Sequence, residues 1–577
     1  MYPVSRDRSP KFRSDWDVRD AILILAVLVL ILGIIRTGAQ FTGSYSPNYQ
    51  IQTNLRVLPG YTAQTLLRMT AAYLLSLGFT LVYAYSAYRS KLAAYILLPL
   101  LDILQSIPVL SFLPGVVLAL IAIFPGQRIG VEIAAVLLIF TGMTWNMTFS
   151  FYQSLVTIPK ELIEAARIYR LNPWQRFWQV ELPAGAIGLI WNSVMSVAGG
   201  WFFLMAIESF TLGNRDFRLP GLGSFLATAS NQGNLGAILA GVAVLIVIIT
   251  LLDFLLWQPL IAWAEKFKFE SVEAVDAPDS PILDFLRRSP TLRSFNQHIW
   301  TPLVERFDRT LATRWSTSKI PVTRPKSSWG RWLNQGLGMG FMAIVLWGTW
   351  EAVLMLRVLG IADWQTVIMG AAYTSGRVLV ALVLSLLWTI PVGVAIGRNP
   401  KLAKILQPIV QIAASVPATA LFPVLLIGLA QIGGGLQIGS IALMMLGTMW
   451  YILFNVIAGA QSIPSDLFEA ATVYKLSLSQ RWFTLILPGI FPYLVTGIIT
   501  AVGGAWNASI VSEYIEFQGK VIDTPGLGAI ISQATATGNF PLLVAATGTM
   551  SLVVVLTNRL VWRRLYQLAQ EKYQILI

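Results

Sequence analysis

Few residues in this chain could do covalent chemistry. It contains no cysteine, which excludes disulfide scaffolds, thiolate metal sites and cysteine nucleophiles. The single histidine, His298, stands in a polar segment and cannot build a metal cluster. Gly519-Lys520 lacks the glycine five residues upstream that a phosphate-cradling loop needs, and no G-x-x-x-x-G-K-[ST] stretch exists elsewhere. No catalytic residue and no metal ligand is therefore assigned. What the spacing does offer is recognition, in two related polar stretches. "PKELIEAARIYRLNPWQRFWQVELP" covers 159–183, and "PSDLFEAATVYKLSLSQRWFTLILP" covers 464–488.

The background to these stretches is apolar. Hydrophobic residues make up 55% of the chain and charged residues 12%, and the mean hydropathy is +0.66; globular domains carry about twice that share of charge. Runs such as "AILILAVLVLILGII" (21–35), "IAAVLLIFTGM" (133–143) and "LGAILAGVAVLIVIITLLDFLLW" (235–257) are within or close to bilayer-spanning length. The first lacks a small-residue cleavage site and is expected to be a span, not a signal peptide. The net charge of +13 lies between apolar runs, as topology signals and lipid-headgroup contacts do, so nucleic acid is not expected as a partner.

The chain repeats itself. A shift of 305 carries Glu164-Ala165-Ala166 onto Glu469-Ala470-Ala471, Pro183 onto Pro488, Trp201 onto Trp506, Glu208 onto Glu513 and "PGLG" (220–223) onto "PGLG" (525–528). Nearer each half's start the shift is 309, taking Arg68 to Arg377 and Pro108 to Pro417. The fold expected is an all-α integral membrane protein of two homologous six-helix halves, about twelve spans. The division runs as a tail at 1–17, a first domain at 18–261, a polar linker at 262–335 and a second domain at 336–577. Spans are expected near 18–36, 65–88, 92–124, 131–152, 184–207 and 234–258, then near 338–360, 367–396, 402–430, 437–459, 486–511 and 541–561. The third in each half carries prolines and is expected to be broken. Lys and Arg of the tails and of the loops after the second span fall on one face, expected to be cytoplasmic with both termini, the linker and both polar stretches.

In each stretch a proline (Pro159, Pro464) suits a helix start, and an acidic residue (Glu161, Asp466) follows in the first turn, where the macrodipole favours it. One short helix with an apolar stripe is expected, its alanine pair forming a low-relief patch. A second aromatic-rich helix should then run until Pro183 or Pro488 opens the next span. Taken singly, such a helix reads as lying on the membrane surface. Two copies that keep Glu-Ala-Ala at one distance from Leu-Pro suit a docking surface for a two-fold partner.

Glu-Ala-Ala, a hydrophobic residue sixteen after the Glu (Val180, Leu485) and then Leu182-Pro183 or Leu487-Pro488 resembles the cytoplasmic EAA loop of binding-protein-dependent ABC transporter permeases. "LLDILQSIPVLSFLPGVVLAL" and "IVQIAASVPATALFPVLLIGL" are most similar to the nitrate/sulfonate/taurine/bicarbonate group. One departure stands out. The family has Gly six residues after the Glu where this chain has Arg170 and Lys475, which suggests a helix that continues. The resemblance implies a permease of a bacterial inner-membrane importer, without a catalytic site of its own. Two ATPase subunits, expected to be identical, would bind ATP and Mg and seat on the EAA loops. A periplasmic or lipid-anchored solute-binding protein would deliver a small solute, expected to be an anion such as nitrate, a sulfonate, bicarbonate or an aromatic carboxylate.

The translocation pathway is expected at the pseudo-two-fold interface. Gly199 and Gly504 permit close backbone approach there, Trp201 and Trp506 could line a gate, and ordinary packing through small residues is the alternative. Asn507, Ser106, Pro108, Ser415 and Pro417 join this set. Phe202 to Met205 corresponds to Asn507 to Ile510, which implies one apolar and one polar wall. Glu208 and Glu513 are expected as rim charges, though an ionisable residue inside a membrane is a functional candidate. Arg68 and Arg377 read as snorkelling or helix-pairing groups. The rival reading is an ion-driven secondary transporter or a channel, for which Asp102 and Glu132 are the carboxylate candidates.

Overall fold

A computed structural model of the chain describes residues 50–106, 108–212, 215–267, 280–306, 343, 346–432, 435–517 and 520–572. The basic N-terminal tail, the expected span near 18–36 and most of the linker lie outside the described residues. Of the span expected near 338–360, residues 346–356 are helical. Within the linker, Pro281–Arg288 and Pro290–Phe295 form short helices, the first capped by Ser280 accepting from the Leu283 N–H.

In the first half α1 (Leu58–Arg89) runs for 32 residues, about 48 Å at the helical rise, enough to cross the hydrocarbon with turns to spare. A broken segment follows: α2 (Lys91–Ser106), a 3-10 turn at Val109–Ser111 and α3 (Leu113–Ile123). Next come α4 (Arg128–Val156), the short α5 (Lys160–Ile168), α6 (Pro173–Arg176) and α7 (Leu182–Glu208). A hairpin pairs β1 (Thr211–Leu212) with β2 (Arg215–Asp216), Thr211 opposite Asp216. The short α8 (Leu222–Asn231) and the last span, α9 (Leu235–Leu252) continued by α10 (Gln258–Ala264), complete the half.

The second half repeats this order. It has α11 (Ile361–Arg398), α12 (Pro400–Ser415), α13 (Ala418–Ile432), α14 (Gly435–Ser462), α15 (Ser465–Val473), α16 (Leu478–Arg481) and α17 (Leu487–Ser512). A hairpin of β3 (Tyr514–Phe517) and β4 (Lys520–Asp523), in register Tyr514 to Asp523, is followed by α18 (Leu527–Thr537), α19 (Phe540–Thr557) and α20 (Arg563–Lys572).

Among the described residues eight helices are long and apolar enough to cross a membrane, and α12 with α13 makes a ninth candidate bent by 81°. The bend falls where the sequence placed it. Val416 is extended (φ −73, ψ 118), as a residue before proline prefers, and Pro417 supplies no N–H to carry the helix through. Pro108 does the same in the first half, buried at the start of the Val109–Ser111 turn.

The halves interlock through these broken segments. α7 and α9 of the first half pack against α12 and α13 of the second, while α17 meets the Val109–Ser111 turn and α19 meets α2. Two hydrogen bonds between described residues cross the interface. The Val109 N–H donates to Asn507 Oδ1 at 2.8 Å, and Gln411 Nε2 donates to Asp253 Oδ1 at 2.6 Å.

Candidate functional site

The two polar stretches take one conformation twice. Pro159 and Pro464 stand at the N-caps of α5 and α15. The helices do not continue through Arg170 and Lys475. They stop at Ile168 and Val473, and both cations adopt φ 52, the two positive-φ non-glycine residues among the described residues. The bonding there is a Schellman motif. Leu171 N–H reaches Ala166 O and Arg170 N–H reaches Arg167 O, each at 3.0 Å; Leu476 to Ala471 and Lys475 to Thr472 repeat both lengths. The left-handed turn that glycine would supply is thus kept without glycine, closed by hydrogen bonds to the carbonyls of Ala166 and Ala471.

These alanines correct a further expectation. Ala166 and Ala471 are buried, so the pair is not an open patch. Ala165 and Ala470 are half-buried and Glu164 and Glu469 exposed. What each loop offers outward is apolar: Ile168 and Tyr169 are 78% and 79% exposed, and Val473 and Tyr474 are 77% and 78%. Leu-Pro does not open the next span either. Five-residue π turns at Phe177–Glu181 and Trp482–Ile486 run straight into α7 and α17, so Leu182-Pro183 and Leu487-Pro488 sit inside continuous helices. A π turn shifts bonding to i→i+5, as Leu182 N–H to Phe177 O does here, which lets a proline follow without a break. The loops are tied down differently. In the first, Arg176 pairs with Glu181 at 2.6 Å and Phe177 packs edge-on to Tyr85. In the second, the Arg398 guanidinium lies 3.3 Å over the Phe468 ring.

At the interface a narrow pocket of about 80 Å³ is lined by Gly199, Phe202, Pro417, Tyr451, Gly504 and Asn507, among others. A Cβ at Gly199 would stand 3.0 Å from the Tyr451 hydroxyl, so a larger residue here would have to push that hydroxyl aside. Trp201 and Trp506 do not line a gate. At 1% and 3% exposed they belong to the core, and Phe202 and Asn507, one residue on, face the pocket. Ser415 donates to the Gln411 carbonyl at 2.9 Å; Ser106 ends α2, and its side chain lies outside the described residues. On the loop-bearing side of this pocket lies a larger cavity of about 650 Å³ between α2, α4 and α7 of one half and α17, α19 and α20 of the other.

Glu208 and Glu513 are not rim charges. Both are fully buried. Glu208 accepts from Thr65 Oγ1 (2.8 Å), Arg68 Nη1 (2.6 Å) and the Gly223 N–H (2.8 Å). Glu513 accepts from Thr374 (2.9 Å), Arg377 (2.7 Å) and the Gly528 N–H (2.8 Å). Arg68 also donates to Pro220 O, as Arg377 does to Pro525 O. The "PGLG" repeat is explained by this cluster. A Cβ at Gly221 or Gly526 would overlap the carboxylate, and at Gly223 or Gly528 it would strike the backbone of Met205 or Ser509. Arg68 pairs further with Glu132 (2.6 Å), which Arg128 also holds (3.0 Å). Glu132 is thus a fixed member of a neutral cluster and is not placed as a free proton carrier; Asp102 lies on α2, and its side chain is outside the described residues.

A family model described as "binding-protein-dependent transport system inner membrane component" matches residues 74–256 and again 389–564. The chain belongs to this family. The first match ends within the π turn that follows α9 and the second just past the one that follows α19, so each runs from inside one half's first long helix to its last. Among curated proteins, a bicarbonate transport system permease protein of Synechocystis sp. is 32% identical over 152 residues, 26% of this chain and 51% of that protein. A nitrate import permease protein of Leptolyngbya laminosa is 28% identical over 213 residues (37% and 73%). A taurine transport system permease protein of Escherichia coli is 30% identical over 158 residues (27% and 54%). The chain thus spans about half the length of the bicarbonate and taurine relatives. As a member of this family it is a multi-pass membrane permease component.

Sequence reasoning missed three features of the permease. The exposed Ile168-Tyr169 and Val473-Tyr474 pairs could have been found from the helical phase set by the buried alanine. The buried Asp253, which accepts from Gln258 (3.0 Å) and from Gln411 across the interface, gave no signal, since its partner is 158 residues away. The cations Arg559 and Arg563 were read as topology signals alone, yet both line the larger cavity.

Proposed function

We propose that this permease is the membrane component of an ATP-driven importer that moves a small anionic solute into the cytoplasm. ATPase subunits, supplied by other chains, bind ATP and Mg and dock on α5 and α15. A solute-binding protein delivers the solute to the opposite face. The carrying observation is the duplicated loop. Two surfaces, each with an exposed apolar pair, an exposed Glu and a left-handed cation, suit two equivalent clefts on a two-fold partner. The loops sit at the cytoplasmic ends of the spans under this reading, with the basic C-terminal helix α20 on the same side. The relatives that transport bicarbonate, nitrate and taurine support an anionic or sulfonate-bearing solute.

Solute passes the pocket between Gly199 and Gly504 when the halves separate, and Tyr451, Phe202 and Asn507 close it when they approach. The test is co-purification of the tagged chain in mild detergent, with mass spectrometry of bound proteins and an ATPase assay. A P-loop ATPase should be recovered, and lost when Glu164 and Glu469 are both changed to Lys or Ile168-Tyr169 and Val473-Tyr474 to Ser. Solute uptake driven by an ion gradient in liposomes of the chain alone would instead establish a secondary transporter.

A further inference from the structure

We propose that the larger, loop-side cavity holds a binding site for a small organic oxyanion, a sulfonate or a carboxylate, built by Arg559 and Arg563 of the second half against amides of the first. This deepens the importer reading and rests on it. The cavity, about 650 Å³, falls within the size range of organic-ligand sites. Asn146, Gln153 and Asn192 line it from α4 and α7, and Asn558 joins the two arginines from the other side. Among the described residues no carboxylate lines it.

Arginines packed between the spans are matched by acid, buried Arg68 by Glu132 and Glu208 and part-buried Arg377 by Glu513, whereas Arg559 and Arg563 are solvent-exposed at the cavity. Arg559 and Arg563 have no carboxylate within ion-pair distance among the described residues. A π turn at Asn558–Trp562 carries the first and hands on to the second, four residues later, so both face the cavity. The guanidinium fork suits a planar or trigonal oxyanion, which it grips through paired N–H donors, while Leu98, Phe149 and Ile499 give an apolar wall for a short organic body.

The duplication argues that these cations are not a general feature of the fold. At the matching turn of the first half stand Asp253, Phe254 and Gln258, where the second has Asn558, Arg559 and Arg563. One half carries a single acid there and no cation; the other lacks the acid and has two cations. The first-half turn spends its acid on Gln411 across the interface, and the second-half turn faces open space. The one-sided charge therefore belongs to the cavity and not to the architecture.

The full chain in nanodiscs of phosphatidylcholine alone is titrated calorimetrically with benzenesulfonate, propanoate and nitrate. Saturable binding of an organic oxyanion is expected, weakened at least about tenfold in R559Q/R563Q, while R564Q, an exposed neighbour outside the cavity, binds as wild type. R559K/R563K keeps the charge without the fork and should fall between. Absence of saturable binding, or equal binding by wild type and R559Q/R563Q, overturns the proposal. So does a second result: phosphatidylglycerol retained by wild type and lost in R559Q/R563Q, with no binding of the soluble anions, which would make a lipid headgroup the occupant. The titration needs no ATPase. Binding intact without any recoverable ATPase partner would sink the importer reading alone, and ATPase coupling without anion binding would sink this site alone.

Discussion

Replacing Arg170 and Lys475 with glycine tests how the two duplicated loops are held. Both residues sit at φ 52 at the ends of α5 and α15. A left-handed conformation costs an L-residue about 1–2 kcal/mol, and glycine adopts it without that penalty. Glycine also gains freedom when the cap opens, which offsets about 0.5–1 kcal/mol. Both side chains are exposed, so little packing is lost on truncation. The net gain is about 1 kcal/mol per cap, which slows opening of the Leu171–Ala166 and Leu476–Ala471 hydrogen bonds by about fivefold. Hydrogen–deuterium exchange of peptides covering 165–172 and 470–477, read by mass spectrometry on the isolated permease, measures this directly. Exchange unchanged or faster in both loops of the double variant would refute the claim that these positions store backbone strain. If exchange slows as expected while ATPase recovery drops, the cations themselves contact the partner.

Three further outcomes are expected. Arg68→Met leaves Glu132 and Glu208 buried without a cation and should cost about 3–5 kcal/mol, seen as loss of monodisperse protein after extraction; Arg377→Met, which strips a single carboxylate at an 11% exposed position, should be milder in the same assay. Gly528→Ala drives a methyl into the Ser509 carbonyl and should sharply reduce folded yield, whereas Gly548→Ala, with open space around its Cβ, should not. Asn507→Ala removes the acceptor of the Val109 N–H and should loosen the contact by about 1–2 kcal/mol, raising solute leak through liposomes of the permease without ATP.

The architecture was legible because it rests on length, hydropathy and repetition. A shift of about 305 residues located every paired element, and the Val416-Pro417 bend followed from proline's missing N–H. The loops were legible in position but not in shape. The chain's own chemistry at Arg170 argued for continuation, yet the helix closes in a left-handed cap whose Leu171 N–H to Ala166 O bond no residue type announces. The outer ends were the least legible. Glu208 and Arg68 lie 140 residues apart in sequence, and nothing local distinguishes a carboxylate at a membrane rim from one swallowed by a neutral cluster. The repeat held a usable sign all the same, since Thr65, Arg68, Glu208 and Gly223 each recur at the matching site. Trp201 misled for a different reason: in an α-helix one residue turns a side chain through about 100°, so Phe202 reaches the interface while Trp201 points into its own half.

The Thr–Arg–Glu–Gly cluster has a consequence for how the protein is made. Each copy is completed from within one half: Thr65, Arg68, Glu208 and Gly223 in the first, Thr374, Arg377, Glu513 and Gly528 in the second. In the first half, the buried charges of this cluster find their partners before the linker has been synthesised. The first half can therefore settle in the bilayer while the ribosome is still reading the second. What remains for the completed chain is assembly of two prefolded bodies through the broken segments, where, among the described residues, neutral amides and a single carboxylate rather than ion pairs meet across the seam.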